Sequence, residues 1–102
     1  MTATKLWSID IVIDEEDDQT RAQARLLPAE REPEVPAPRA ATEVGWYVGV
    51  GLARRNPTDR DVPRIGDELA VSRALADLSH KLLDAAAHDI ENIVHRPVHL
   101  EP

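Results

Sequence analysis

The chain has 102 residues, a formal net charge of −7 and no cysteine. That length supports one domain, residues 1–102, with a core small enough that pairing of two copies is a natural way to bury more apolar surface. The missing cysteines exclude disulfides, thiolate metal sites and a cysteine nucleophile. The excess of acid disfavours a surface that binds nucleic acid over its whole extent. The N-terminal segment MTATKLWSID has no apolar signal core, and no apolar run reaches membrane length, so a cytoplasmic protein is expected.

Charge is unevenly spread. Residues 1–19 set Lys5 against six acids, residues 20–65 set eight arginines against six acids, and residues 66–102 set three basic residues against seven acids. Only the middle third is therefore net basic. Ten of the twelve basic residues are Arg, a side chain suited to bidentate contacts with phosphate or carboxylate.

Leu6–Ile13 reads as a strand with Trp7, Ile9, Ile11 and Ile13 on one face and Ser8 and Asp10 on the other. Asp14–Gln19 is an acidic turn. Thr20–Leu27 is a second strand, with Ala22, Ala24 and Leu26 opposite Arg21, Gln23 and Arg25. The short connection dictates an antiparallel hairpin. A proline-rich stretch at about 28–43, with Pro28, Pro33, Pro36 and Pro38, cannot supply ladder donors there and reads as a mobile surface insertion. Val44–Ala53 is the third strand. Its Val44, Trp46, Val48, Val50 and Leu52 face one way, and Gly45, Tyr47, Gly49, Gly51 and Ala53 face the other. Alternate glycines make a flat track on which a helix, another backbone or a ligand can lie close.

Arg54–Gly66 is a connector, with Asn56-Pro57 starting a turn and Gly66 or Asp67 placed to cap a helix. Helical periodicity runs from Asp67 to about Val94. Leu75, Leu78, Leu82 and Ala85 make one stripe, widened by Leu69, Leu83, Ala86, Ile90, Ile93 and Val94. Such a helix outreaches a three-stranded sheet, so either part of it meets another chain or it breaks near Ser79-His80. Pro97 ends it, and within the tail at 97–102 the segment Val98–Leu100 suits a short edge strand.

Arg54, Arg55, Arg60 and Arg64 lie within eleven residues, beside a helix N-terminus that favours anions. They are the candidate phosphate or RNA contacts, and Arg21 and Arg25 extend them if the faces coincide. No metal is expected. His95 and His99 are separated by Pro97, His80 and His88 are two turns apart, and Asp14–Asp18 lacks the glycine and distant glutamate of a calcium loop. No catalytic set is visible either. Ser8, Ser72 and Ser79 have no elbow motif, Asp89 and Glu91 point to different helix faces, and Gly49-Val50-Gly51 lacks the third glycine of a dinucleotide site. Neither a cofactor nor a small-molecule substrate is indicated.

The segments Trp7–Glu15, Thr20–Leu26, Gly49–Leu75 and His88–Val98 resemble the actinobacterial family called domain of unknown function 1876. The resemblance covers nearly all of the chain except the proline-rich insertion. It implies a fold like that of double-stranded-RNA-binding domains, a homodimer, and a likeness of dormancy-associated members to ribosome hibernation promoting factors. The net charge of −7 departs from those factors, which are basic. The combined expectation is an α+β protomer, a three-stranded antiparallel meander followed by a long C-terminal helix, that pairs with itself. Its expected role is non-catalytic, as a stress or dormancy factor on the ribosome or its RNA through the arginines. The alternative is an acidic adaptor that binds protein and no nucleic acid.

Overall fold

The computed structural model describes residues 2–28, 47–55 and 62–102. Three strands, β1 (Trp7–Glu16), β2 (Gln19–Pro28) and β3 (Tyr47–Arg54), precede one helix, α1 (Pro63–Val94). The strands form one antiparallel sheet in the order β1-β2-β3. The expected α+β architecture, a meander followed by a long helix, is what is found. Pro28 closes β2, while the rest of the proline-rich stretch, Val44, Trp46, the Asn56-Pro57 turn and Arg60 lie outside the described residues.

The first hairpin is tighter than the acidic run suggests. Its strands extend to Glu16 and restart at Gln19, leaving only Asp17 and Asp18 in the turn. Asp17 sits at φ 54°, a left-handed conformation that Asp tolerates better than most residues. Reversal at that point lets Asp14 pair with Arg21 and Glu15 with Thr20 in the ladder.

α1 lies on the sheet face formed by Ala22, Ala24 and Leu26 of β2 and Gly49, Gly51 and Ala53 of β3. The glycine track carries the helix backbone. A Cβ on Gly49 would fall 2.5 Å from the amide nitrogen of Leu78, and one on Gly51 would fall 2.8 Å from the carbonyl carbon of Arg73. The helix answers with its own small residues, Ala70 and Ala74, one turn apart and followed by Leu78. Layers built from Ala and Gly approach closely but remove little apolar surface from water. Among the described residues, the buried core has only Leu26 and Leu78 as large side chains.

The helix begins at Pro63, four residues before the expected Asp67, because proline's fixed φ suits the first helical position. Val62 stands at the N-cap with extended backbone and no side-chain cap, so Gly66 and Asp67 are helical residues and not caps. The helix is continuous through Ser79-His80 and spans about 48 Å at 1.5 Å per residue. Its buried residues, Ala70, Ala74 and Leu78, all precede Ser79, so its second half overhangs the sheet. Val98–Leu100 forms no strand. Instead, the Val98 N–H donates to Glu91 Oε1 at 2.9 Å, turning the tail back onto the helix.

Candidate functional site

The arginines do not gather on one surface. In the register, β2 residues with odd numbers face away from α1, and so do the even-numbered residues of β1 and β3. Arg21, Arg25 and Arg54 therefore share the open face of the sheet. Each β2 arginine has an acid directly across from it, Asp14 for Arg21 and Asp10 for Arg25, while Glu16 and Arg54 flank Gln19. Arg25 also donates to Gln23 Oε1 at 2.8 Å. Three acids thus intersperse with three arginines, and the face carries no net positive charge. Arg55 lies at the end of β3, where its Nη2 meets Asp18 Oδ1 at 2.6 Å and its backbone N–H donates to the Asp18 carbonyl at 2.8 Å. It joins the hairpin tip to the third strand. Arg64 is exposed on the first turn of α1, and Arg60 lies outside the described residues.

A cavity of about 420 Å³ opens beside the helix N-terminus. Arg54 and Arg55 line it, but so do Glu15, Asp17 and Asp18. The mixed lining weakens any preference for phosphate that the helix dipole supplies. Among the described residues no group of three or more His, Asp or Glu side chains is placed to hold a metal ion. His80 Nδ1 lies 2.8 Å from the Ala76 carbonyl, and His99 stands near Glu101 at 3.8 Å.

Two other features were not apparent from the sequence. The first is a side-chain ladder from α1 along the outer edge of β3. Arg73 Nη1 donates to the Leu52 carbonyl at 2.7 Å, the Val50 N–H donates to Asp77 Oδ2 at 2.8 Å, and Lys81 Nζ donates to the Val48 carbonyl at 2.6 Å. Residues 73, 77 and 81 recur at one face of a helix, and backbone groups of alternate strand residues point to one side. The ladder therefore satisfies successive outward groups that a further strand would need. Lys81 also reaches Asp77 Oδ2 at 3.1 Å. The Val50 N–H first, and the Lys81 contact second, hold the Asp77 carboxyl below its ordinary pKa. The signal in the sequence was an Arg, Asp and Lys spaced by four along the helix.

The second feature is an apolar strip on the helix side of β1. Ile9, Ile11 and Ile13 pair with Leu26, Ala24 and Ala22, so they belong to the face on which α1 packs. Yet α1 rides on β2 and β3, and the three isoleucines remain 45, 37 and 40 % exposed. Of the leucines in the sequence stripe, Leu78 is buried, while others turn toward the isoleucines. Leu75, Leu82 and Leu83 join Ile9 around a groove of about 350 Å³ between β1 and the helix. The Tyr47 hydroxyl lies at the end of the sheet under the overhanging helix. Burial first, and the Asp89 charge second, push its pKa up. No helix among the described residues is long and apolar enough to cross a membrane.

Comparison with known proteins places the whole arrangement in one family. The uncharacterized protein Mb1767 of Mycobacterium bovis is 49 % identical over 94 residues, covering 92 % of this chain and 85 % of its own. The uncharacterized protein Rv2632c of Mycobacterium tuberculosis is 45 % identical over 94 residues, covering 92 % of this chain and 86 % of its own. A solved structure titled Crystal Structure of Rv2632c superposes with a TM-score of 0.71 at 43 % identity, covering 94 % of this chain and 98 % of that one. The family model described as Rv2632c-like matches residues 5–99, and the chain belongs to that family.

Proposed function

We propose that this protein is a non-catalytic interaction module whose working surface is the β1 strip with the helix leucines beside it. One observation carries the reading: apart from Leu26 and Leu78, the buried core is built of alanines, while most large apolar residues stand at the surface. Ala22, Ala24, Ala70 and Ala74 are fully buried, while Ile9, Ile11, Ile13 and Leu75 stand at a third exposure or more. A contiguous apolar patch on that scale marks a surface that meets another macromolecule. This is the adaptor reading, with the recognition element moved from the acidic residues to the isoleucines.

The second reading, a cytoplasmic stress or dormancy factor on ribosomal RNA, draws on the resemblance to domain of unknown function 1876 and to hibernation-type factors. It is favoured by Arg54 and Arg64, both exposed near the helix N-terminus. The acids opposite Arg21 and Arg25 count against phosphate binding on the open sheet face.

Two variants separate the readings. Ile9→Lys/Ile11→Lys removes the apolar strip, and Arg21→Gln/Arg25→Gln/Arg54→Gln/Arg64→Gln removes the arginines. Self-association by light scattering and co-sedimentation with ribosomes at low and moderate salt are measured for each, with circular dichroism to verify folding. The module reading expects association that the isoleucine variant loses and the arginine variant keeps. Ribosome co-sedimentation at moderate salt that only the arginine variant loses overturns it in favour of RNA.

A further inference from the structure

We infer that the Arg73–Asp77–Lys81 ladder is a guard: it keeps β3 from pairing with strands of other molecules, and its removal turns that strand into an acceptor. The guard acts whatever the β1 strip meets, so it stands apart from the module reading.

β3 is the strand that most needs one. From Tyr47 to Ala53 it reads YVGVGLA, with no charge and no proline. A segment of that composition stacks readily with other strands when its edge is bare. β1 carries Asp10, Asp14, Glu15 and Glu16, and β2 carries Arg21 and Arg25. Charges within a strand discourage unplanned pairing, whereas the one charge of β3, Arg54, sits at its end. Protection of β3 must come from outside the strand, and α1 supplies it.

In an extended strand the N–H and C=O of one residue point to the same side. The residues of β3 that turn these groups toward the ladder are Val48, Val50 and Leu52. Lys81 takes the Val48 carbonyl, Asp77 the Val50 N–H and Arg73 the Leu52 carbonyl. An incoming antiparallel strand needs both groups of a residue to complete a hydrogen-bonded pair, so one rung per residue obstructs all three pairing positions in any register. The chemical types match as well, since cations meet carbonyls and the carboxylate meets an amide. Spacing makes the match possible. Four helical residues rise about 6 Å and two strand residues about 6.6 Å, so successive rungs stay level. Leu69 and Ala85, next in the same helix row, have no polar group, which ends the guard at three rungs. The two cation bonds are exposed, and exposed contacts of that kind add little to stability. Their main effect is competition for the strand edge.

Truncating the rungs on the full chain tests the guard. Arg73→Ala/Asp77→Ala/Lys81→Ala keeps a good helix former at every position, so α1 should persist, as circular dichroism verifies. Light scattering from roughly 1 to 100 µM should show the average mass of this variant climbing to at least about twice that of the wild type at equal concentration. Amide exchange then locates the contact. The Val48 and Leu52 N–H groups, which take no rung, should exchange at least about tenfold more slowly in the associated variant than in the wild type. Adding Val50→Pro removes the outward donor at the central pairing position and should return the mass to the wild-type value. If the triple variant does not fold, Asp77→Ala alone, which releases one N–H and keeps both cations, carries the same test with a smaller rise in mass. A folded variant that keeps the wild-type mass over the whole range overturns the guard. So does association that leaves Val48 and Leu52 exchange unchanged, or that survives Val50→Pro.

Discussion

The Asp77 carboxylate accepts the backbone N–H of Val50 at 2.8 Å, so a helix side chain occupies the place of a missing strand. Arg73 and Lys81 do the same one turn to either side. α1 thus both roofs the sheet and seals one of its edges.

The seal is sensitive to acid. Because the folded state holds the Asp77 carboxyl below its ordinary 3.8, its contribution to stability is complete above the unfolded value. It fades as pH falls through the lower folded value. Urea unfolding of the wild type below about pH 4 should therefore lose stability more steeply than unfolding of Asp77→Asn, which has no carboxyl to protonate. Equal slopes for the two proteins would show that the Val50 and Lys81 contacts favour neither protonation state.

The glycine track makes a sharper prediction. A methyl group on Gly49 or Gly51 collides with helix backbone, which cannot rotate aside. Gly49→Ala and Gly51→Ala should each cost at least about 3 kcal/mol, the upper end of overpacking penalties, or prevent folding. Gly66→Ala is the control. Its Cβ would meet only the Thr20 side chain, with Oγ1 at 3.0 Å, and alanine regains about 1 kcal/mol of helix propensity. Thermal melts should place Gly66→Ala near the wild type and the other two far below it. Comparable melting of all three would contradict the close helix–strand approach.

Tyr47 is the only tyrosine, so its ionisation can be followed by absorbance without interference from another phenol. Burial is the main cause of its raised pKa and Asp89 the lesser one. The folded protein should titrate above the ordinary value of 10.0, and Asp89→Asn should bring the midpoint down only part of the way. The sign for stability follows. Below the unfolded pKa the phenol is neutral in both states, and stability is lost as pH climbs from there through the folded value. Titration at the ordinary value in the native protein would mean that the overhanging helix does not cover Tyr47.

Element types were legible because the polarity patterns were strong. The alternation of Trp7, Ile9, Ile11 and Ile13 and the run of helix formers after Pro63 each admit one periodicity. The choice of helix face was only partly legible. Leu78 of the sequence stripe is buried and Leu82 packs against the core, but Leu75 stays exposed while Ala70 and Ala74 touch the sheet, because Gly49 and Gly51 bring the helix backbone close. Pairing energetics also escaped the one-dimensional reading of the arginines. Arg21 and Arg25 stand out as cations in the sequence, and only the register shows Asp14 and Asp10 opposite them. Arg73, Asp77 and Lys81 escaped the sequence reading because their partners are main-chain atoms of a distant strand.

The end of α1 supplies the last prediction. His95 terminates the helix in the left-handed region, at φ 59° and ψ 37°, with its N–H donating to the Glu91 carbonyl at 2.7 Å. Glycine is the usual residue there, since a Cβ adds about 1 kcal/mol of strain in that conformation. His95→Gly relieves the strain and keeps the N–H. It should slow amide exchange in the last helical turn severalfold, with little change in global unfolding, because that turn overhangs the sheet and frays independently of the core. His95→Pro removes the donor and fixes φ near −65°, so it should act in the opposite direction. Unaltered exchange at Ile93 and Val94 in both variants would show that the left-handed cap does not hold the helix end.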